Sequence, residues 1–193
     1  MANYTKKVLS ITLQELMKEK PLNDITVQEL VDQASMNRKT FYYHFHTLSD
    51  LLKWCLKEDL KPLKINLSHP KLWSDHVKSI LYFLKDNKYF FYSMHYSNYD
   101  SEMRLYLKEL TEQTVALYEN QTWQNFISKQ KYQAELTDSQ RNYIVKFFSG
   151  ALFTLIEDWF LSGMNEPIDA FIIILKKLIN QNICHTYKVF IEG

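Results

Sequence analysis

The stretch that decides the fold is residues 26–45: Thr26-Val27-Gln28-Glu29-Leu30-Val31-Asp32-Gln33-Ala34-Ser35-Met36-Asn37-Arg38-Lys39-Thr40-Phe41-Tyr42-Tyr43-His44-Phe45. Thr26 and Glu29 have the spacing of a capping box, in which the hydroxyl caps an orphan N–H and the carboxylate reaches back. Val27, Leu30, Val31 and Ala34 then fall on one face of a helix about two turns long. Ser35-Met36-Asn37 makes a tight turn, and Asn37 is a good N-cap for a second helix over residues 38–45. There Phe41 and Phe45 are i and i+4, so they point inward together with Met36. Arg38, Lys39, Thr40, Tyr42, Tyr43 and His44 cover the remaining surface. Two short helices joined by three residues, the second with a free polar face, follow helix-turn-helix logic, and the second helix is the one that enters a major groove.

The residue types on that face suit DNA. Arg donates bidentately to guanine, and Thr meets a thymine methyl or a phosphate. Tyr and His suit phosphate hydrogen bonds and apolar sugar or base contacts. At the start of the first of the two helices, Thr26 and Gln28 are placed to approach a phosphate through helix N–H groups. Residues 1–50 carry as many acids as lysines and arginines, yet Met36 to His46 holds Arg38 and Lys39 and no acid. Positive charge is therefore focused, and a dimer would present the patch twice.

Working outward, a helix is expected over residues 5–20, with Leu9, Leu13, Leu16 and Met17 on one face. Pro21 and Asn23-Asp24 end it. A fourth helix starts at Thr47, with Asp50 three residues on. It carries the stripe Leu48, Leu51, Leu52, Cys55 and Leu56, and ends near Lys61 ahead of Pro62. Residues 61–71 read as a connection between a DNA-binding domain at 1–60 and a regulatory and dimerisation domain at 61–193. Further helices are expected at 72–86, 88–94, 101–121, 123–131, 137–161 and 167–185. Thr137 and Gln140 give a second capping box, Gly163 a stop and Pro167 a first-turn residue. The fold class is all-α, in keeping with only 3 Gly and 4 Pro in 193 residues, too few for the turns of an all-β chain.

Whole-chain properties exclude several classes. No signal-peptide run opens the sequence, and no stretch of about 18 uncharged apolar residues exists, so a cytoplasmic protein with no membrane partner is expected. Gly150, Gly163 and Gly193 cannot form a phosphate loop, and no nucleophile–base pair or metal spacing is present, so neither an enzyme nor a cofactor is expected. Cys55 and Cys184 match no ligand pattern and read as buried thiols.

The runs Ile-Thr-Val-Gln-Glu-Leu at 25–30 and Ala-Ser-Met-Asn-Arg-Lys-Thr-Phe-Tyr-Tyr-His-Phe at 34–45 resemble the signature of the TetR/AcrR family. The closing Thr-Phe-Tyr-Tyr-His-Phe is its specific part. The resemblance covers roughly the first third of the chain. It implies an all-α homodimer with a divergent C-terminal domain, and DNA contacts at Thr26, Gln28, Arg38, Lys39, Thr40, Tyr42, Tyr43 and His44. The family usually has Gly where Ser35 stands, and many members carry a phosphate-gripping Lys at the start of the fourth helix. Here that region reads His46-Thr47-Leu48-Ser49, so Thr47 or His46 takes the place of the lysine.

By the same resemblance the two last helices pair with their symmetry mates as a four-helix bundle. Their stripes predict an interface at Phe148, Leu152, Leu155, Trp159, Phe171, Leu175 and Leu178. The stretch 147–163 is similar to the C-terminal domain of regulators from Gram-positive bacteria. Thr5-Lys6-Lys7 and the aromatic run are similar to dihydroxyacetone kinase operon regulators. An effector pocket is expected at Phe91, Met94, His95 and Tyr118, since such pockets are apolar with a few polar groups. The partners that follow are a near-palindromic operator, a second copy of the chain, and a small-molecule effector or a protein co-activator. The first functional reading is a homodimeric repressor released by an effector; the alternative is an activator controlled by a co-activator.

Overall fold

In the computed structural model the described residues are 2–59, 63, 73–129 and 136–192. The helices among them are α1 (Ala2–Glu19), α2 (Val27–Gln33), α3 (Arg38–His44), α4 (Leu48–Asp59), α5 (Trp73–Asp86), α6 (Lys88–His95), α7 (Asp100–Lys129), α8 (Asp138–Leu161) and α9 (Ile168–Glu192). A single 3-10 turn, Leu22–Asp24, follows α1, and no strand occurs among the described residues. None of these helices is long and apolar enough to cross a membrane. The all-α class expected from the scarcity of turn residues holds.

The chain divides into two compact units. The first takes in Met1–Pro62 and Asp86–Tyr106, the second Leu63–Lys85 and Leu107–Gly193. The expected split at residue 60 lies close to one of these boundaries, but residues 86–106 return to the first unit. The reason is packing: α6 lies against α1, and Phe90, Phe91 and Met94 are buried there. The expected connection at 61–71 lies, residue 63 apart, outside the described residues.

In the first unit α1 packs on α2, α3, α4 and α6. Its expected stripe Leu9, Leu13, Leu16 and Met17 is buried, and the stripe of α4 supplies Leu51, Leu52, Cys55 and Leu56. The Cys55 thiol donates to Ser10 Oγ at 3.0 Å. Lys53 Nζ lies 3.9 Å from the Glu102 carboxylate, and Ser49 Oγ donates to it at 3.2 Å, joining α4 to the first turn of α7. The backbone N–H of Asn98 donates to Asn23 Oδ1 at 3.1 Å, tying the approach to α7 to the turn after α1.

The second unit is built on α8 and α9, which pack against each other. Trp159 and Phe171 stack across them with rings 6.1 Å apart and 7° from parallel. Arg141 donates to both Glu119 oxygens at 3.0 and 2.7 Å and to Asn120 Oδ1 at 3.1 Å. The Tyr187 hydroxyl donates to the Glu119 carbonyl at 3.1 Å. Burial, then the Glu119 charge, pushes the Tyr187 hydroxyl far above its ordinary range. Asn180 Oδ1 accepts from Trp73 Nε1 and the Tyr118 hydroxyl at 2.8 and 2.9 Å.

Two helix expectations are corrected. Residues 101–121 and 123–131 were expected as separate helices, whereas α7 runs unbroken from Asp100 to Lys129. Thr122 lowers helix propensity only by a few tenths of a kcal/mol. Trp123 is buried edge-on against Tyr187 at 5.2 Å, so tertiary contact carries the helix through. The last helix reaches Glu192 instead of 185, because fully buried Tyr187 anchors its final turns.

The expected dimer contacts are corrected as well. Phe148, Leu152, Trp159, Phe171 and Leu175 are each 5% exposed or less within a single chain, so they belong to its own core. Leu155 is half-buried and Leu178 exposed. The apolar residues left open include Tyr143, Phe147, Ala151 and Leu161 on α8, and Ala170, Ile173, Ile174, Leu178, Val189 and Phe190 on α9. Gly150 joins this face, where an added Cβ would meet nothing within 4 Å.

Candidate nucleic-acid interface

The two helices of the motif are set by their caps. Thr26 Oγ1 accepts from the Glu29 N–H at 3.2 Å, and α2 begins. The expected reciprocal half of that box is not made, because the Glu29 carboxylate pairs with Lys20. At its other end α2 closes in a Schellman turn: Ser35 N–H donates to the Asp32 carbonyl and Met36 N–H to that of Val31 at 2.7 Å. Ser35 sits at φ 52°, the left-handed conformation expected where the family usually has Gly. Asn37 Oδ1 then accepts from Thr40 N–H at 2.8 Å and starts α3.

Phe41 is fully buried and Phe45 nearly so, as their spacing requires, while Met36 is only half-buried. Arg38, Lys39, Tyr42 and Tyr43 are exposed, Tyr43 at 82%. The Arg38 guanidinium stands 5.9 Å from the Tyr42 ring centroid, and Tyr43 meets the half-buried His44 edge-on at 4.9 Å. Arg38, Lys39, Tyr42 and Tyr43 share the exposed face of α3, with half-buried His44 at its edge.

Other expected contacts have prior engagements. The Thr40 hydroxyl donates to Asn37 Oδ1 at 3.1 Å, so it serves the cap of its own helix. Gln28 Nε2 donates to Asp32 Oδ1 at 2.7 Å. The hydroxyl oxygens of Thr26 and Thr47 accept as caps. At Thr47 the backbone is fully used: His46 N–H and Thr47 N–H both donate to Asp50 Oδ2 at 3.1 Å. Asp50 thus puts a carboxylate at the start of α4, where the helix dipole favours negative charge. The Thr47-x-x-Asp50 spacing carried this signal, since an acid at that position completes a capping box.

A feature that sequence spacing did not give is the place of Lys6. Its ammonium, on α1, lies 5.4 Å from the centroid of the Phe45 ring.

The residues expected to line an effector pocket fall in both units. Phe91 and Met94 are fully buried in the first unit. His95 Nδ1 lies 2.7 Å from Asp100 Oδ1, and Tyr118 belongs to the second unit. An open groove of about 410 Å³ in the second unit is lined by Tyr143, Ile144, Phe147, Thr186 and Phe190.

Two short capped helices, an exposed aromatic and cationic face on the second, and a helical C-terminal unit define a helix-turn-helix regulator. The family described as transcriptional regulator C-terminal region, of TetR type, matches residues 71–181, more than half of the chain. The chain belongs to this family. It is similar to the HTH-type dhaKLM operon transcriptional activator DhaS of Lactococcus lactis subsp. lactis (strain IL1403), at 19% identity over 161 residues, covering 82% of this chain and 81% of that one. Among solved structures it is similar to the dihydroxyacetone kinase operon activator DhaS, with a TM-score of 0.66 at 17% identity over 93% of this chain and 96% of the other. At that identity the likeness bears on the fold alone.

Proposed function

We propose that this chain is a bacterial, cytoplasmic, homodimeric regulator that binds a near-palindromic operator through α3. The observation that carries the reading is the face of Arg38, Lys39, Tyr42, Tyr43 and His44, set on a helix whose opposite side, Phe41 and Phe45, is locked in the core. Thr26, Gln28 and Thr47 flank it as phosphate contacts, and Thr40 serves mainly to hold Asn37. Two copies join through the open apolar faces of α8 and α9, with Phe147, Gly150, Ile174 and Leu178 at the centre. A two-fold pair then places its recognition helices about 34–36 Å apart, one turn of B-DNA.

The test begins by mapping genomic DNA bound by the protein. On the operator so found, Arg38→Ala with Tyr42→Ala abolishes binding while the sedimentation coefficient of the dimer is unchanged. Undiminished binding by that double variant would overturn the reading.

For the sign of regulation the first reading is a repressor released by an effector, which must bind the two states of the dimer with different affinity. A second reading, an activator working with a protein co-activator, is supported by the similarity to DhaS, which is named an activator. Run-off transcription from the mapped promoter separates them: added protein lowers transcript in the first case and raises it in the second.

A further inference from the structure

We propose that Lys6 of α1 is a phosphate-gripping residue of the DNA interface. The assignment rests on the DNA-binding reading above and adds to it a contact from a helix outside the motif.

Three observations converge on this residue. The first is position. The Lys6 ammonium stands over the ring of Phe45, the residue that caps the C-terminal end of the recognition helix. Phe45 is 5% exposed, so its ring is a fixed platform and not a mobile surface group. The second is charge. Among the described residues Lys6 has no carboxylate partner, a state it shares with Lys7, Arg38 and Lys39, whereas Lys18 pairs with Glu15, Lys20 with Glu29 and Lys53 with Glu102. A ring face attracts a cation without neutralising it, so the full charge of Lys6 stays available to a polyanion. The third is the state of the neighbouring helix start. Residues 46–49 hold no lysine or arginine, and the N–H groups of His46 and Thr47 are both spent on the Asp50 carboxylate.

DNA backbone beside the end of α3 therefore meets a helix start with a negative charge and no cation of its own. Lys6 is a cation held next to that end, over the Phe45 ring. Its half-buried stem lies along the protein, and its charged head is the part that a long side chain keeps in water. A purely structural role is the competing account, because a cation also suits the C-terminal end of a helix dipole.

The experiment uses the full-length protein and two duplexes of unrelated mixed sequence, since a phosphate contact carries no sequence information. Association constants are measured across a salt series for wild type, Lys6→Gln, Lys6→Arg and Lys18→Gln. Each neutralised phosphate contributes about 0.9 to the slope of log K against log salt. Lys6→Gln should lower the slope by about that amount for each chain bound, equally on both duplexes, at an unchanged melting temperature. Lys6→Arg should retain the slope. Lys18→Gln should also retain it, because Lys18 lies about 18 Å further along the α1 axis. An unchanged slope in Lys6→Gln overturns the assignment. So does an equal loss in Lys6→Arg with a lowered melting temperature, which would mean packing on Phe45. If wild type binds neither duplex at low salt, the DNA-binding reading itself fails, an outcome distinct from the other two.

Discussion

At the scale of single residues, backbone conformation and capping decide how well the recognition helix is presented. Ser35 occupies the same place in its Schellman turn that Gly163 occupies after α8. Gly163 has φ 91° and Ser35 φ 52°. A side chain in this region costs about 1 kcal/mol relative to glycine. Ser35→Gly should therefore stabilise the protein by about 0.5–1 kcal/mol in urea unfolding, with operator affinity unchanged or raised. Gly163→Ala should act in the opposite direction, since its Cβ would also stand 3.0 Å from Asn165 Nδ2. Asn37→Ala removes the cap of a helix only seven residues long. It should cost about 1 kcal/mol of stability and weaken DNA binding at a fixed salt concentration, as followed by fluorescence anisotropy. Most of this scale was legible in the sequence. Thr26, Asn37 and Thr137 were readable as caps because capping chemistry is local. The partner of Glu29 was not, because Lys20 reaches it from outside the helix.

At the scale of helices, buried polar joints add to the apolar packing between them. Glu119 is almost wholly buried and takes two hydrogen bonds from Arg141. Replacing Arg141 by Met would leave that carboxylate buried without its counter-charge. Such a loss costs about 3–5 kcal/mol, and much of it should return in the double variant with Glu119→Gln, measured in a double-mutant cycle. Glu102 joins α7 to α4 more lightly. Burial alone would raise its carboxyl, but its own N–H, the hydroxyls of Ser101 and Ser49, and Lys53 outweigh this and hold it below its ordinary value. A folded-state carboxyl held low stabilises above the unfolded value, and that contribution is lost as pH falls through the folded one. Glu102→Gln should therefore lower the urea midpoint at neutral pH, and the two proteins should converge in the acid range. Helix starts agreed with expectation to within a few residues. The length of α7 did not, because Trp123 is held by Tyr187 from another helix.

At the scale of the whole molecule, the separation of core from open face in α8 and α9 has a measurable consequence. Leu152→Ala opens a cavity in a single chain and should cost about 2–5 kcal/mol in unfolding. Phe147→Glu, at a residue 71% exposed in the chain, should leave folding nearly unaffected and shift the sedimentation profile toward monomer. A dimer that persists in the Phe147→Glu variant would place the subunit contact elsewhere.

The sequence by itself determined the all-α class, the two-helix motif at residues 26–45, and the side of α3 that faces outward. Each is written in local period, caps and turn chemistry, which act within a few residues. Only the tertiary structure decided which of two apolar stripes on α8 and α9 is core. Both carry hydrophobic residues at helical spacing, and burial depends on the neighbour that packs there. It likewise drew residues 86–106 back to the first unit, set Lys6 over Phe45 and turned Phe91 and Met94 into core. These are contacts between residues far apart in the chain, and no periodicity within one helix encodes them.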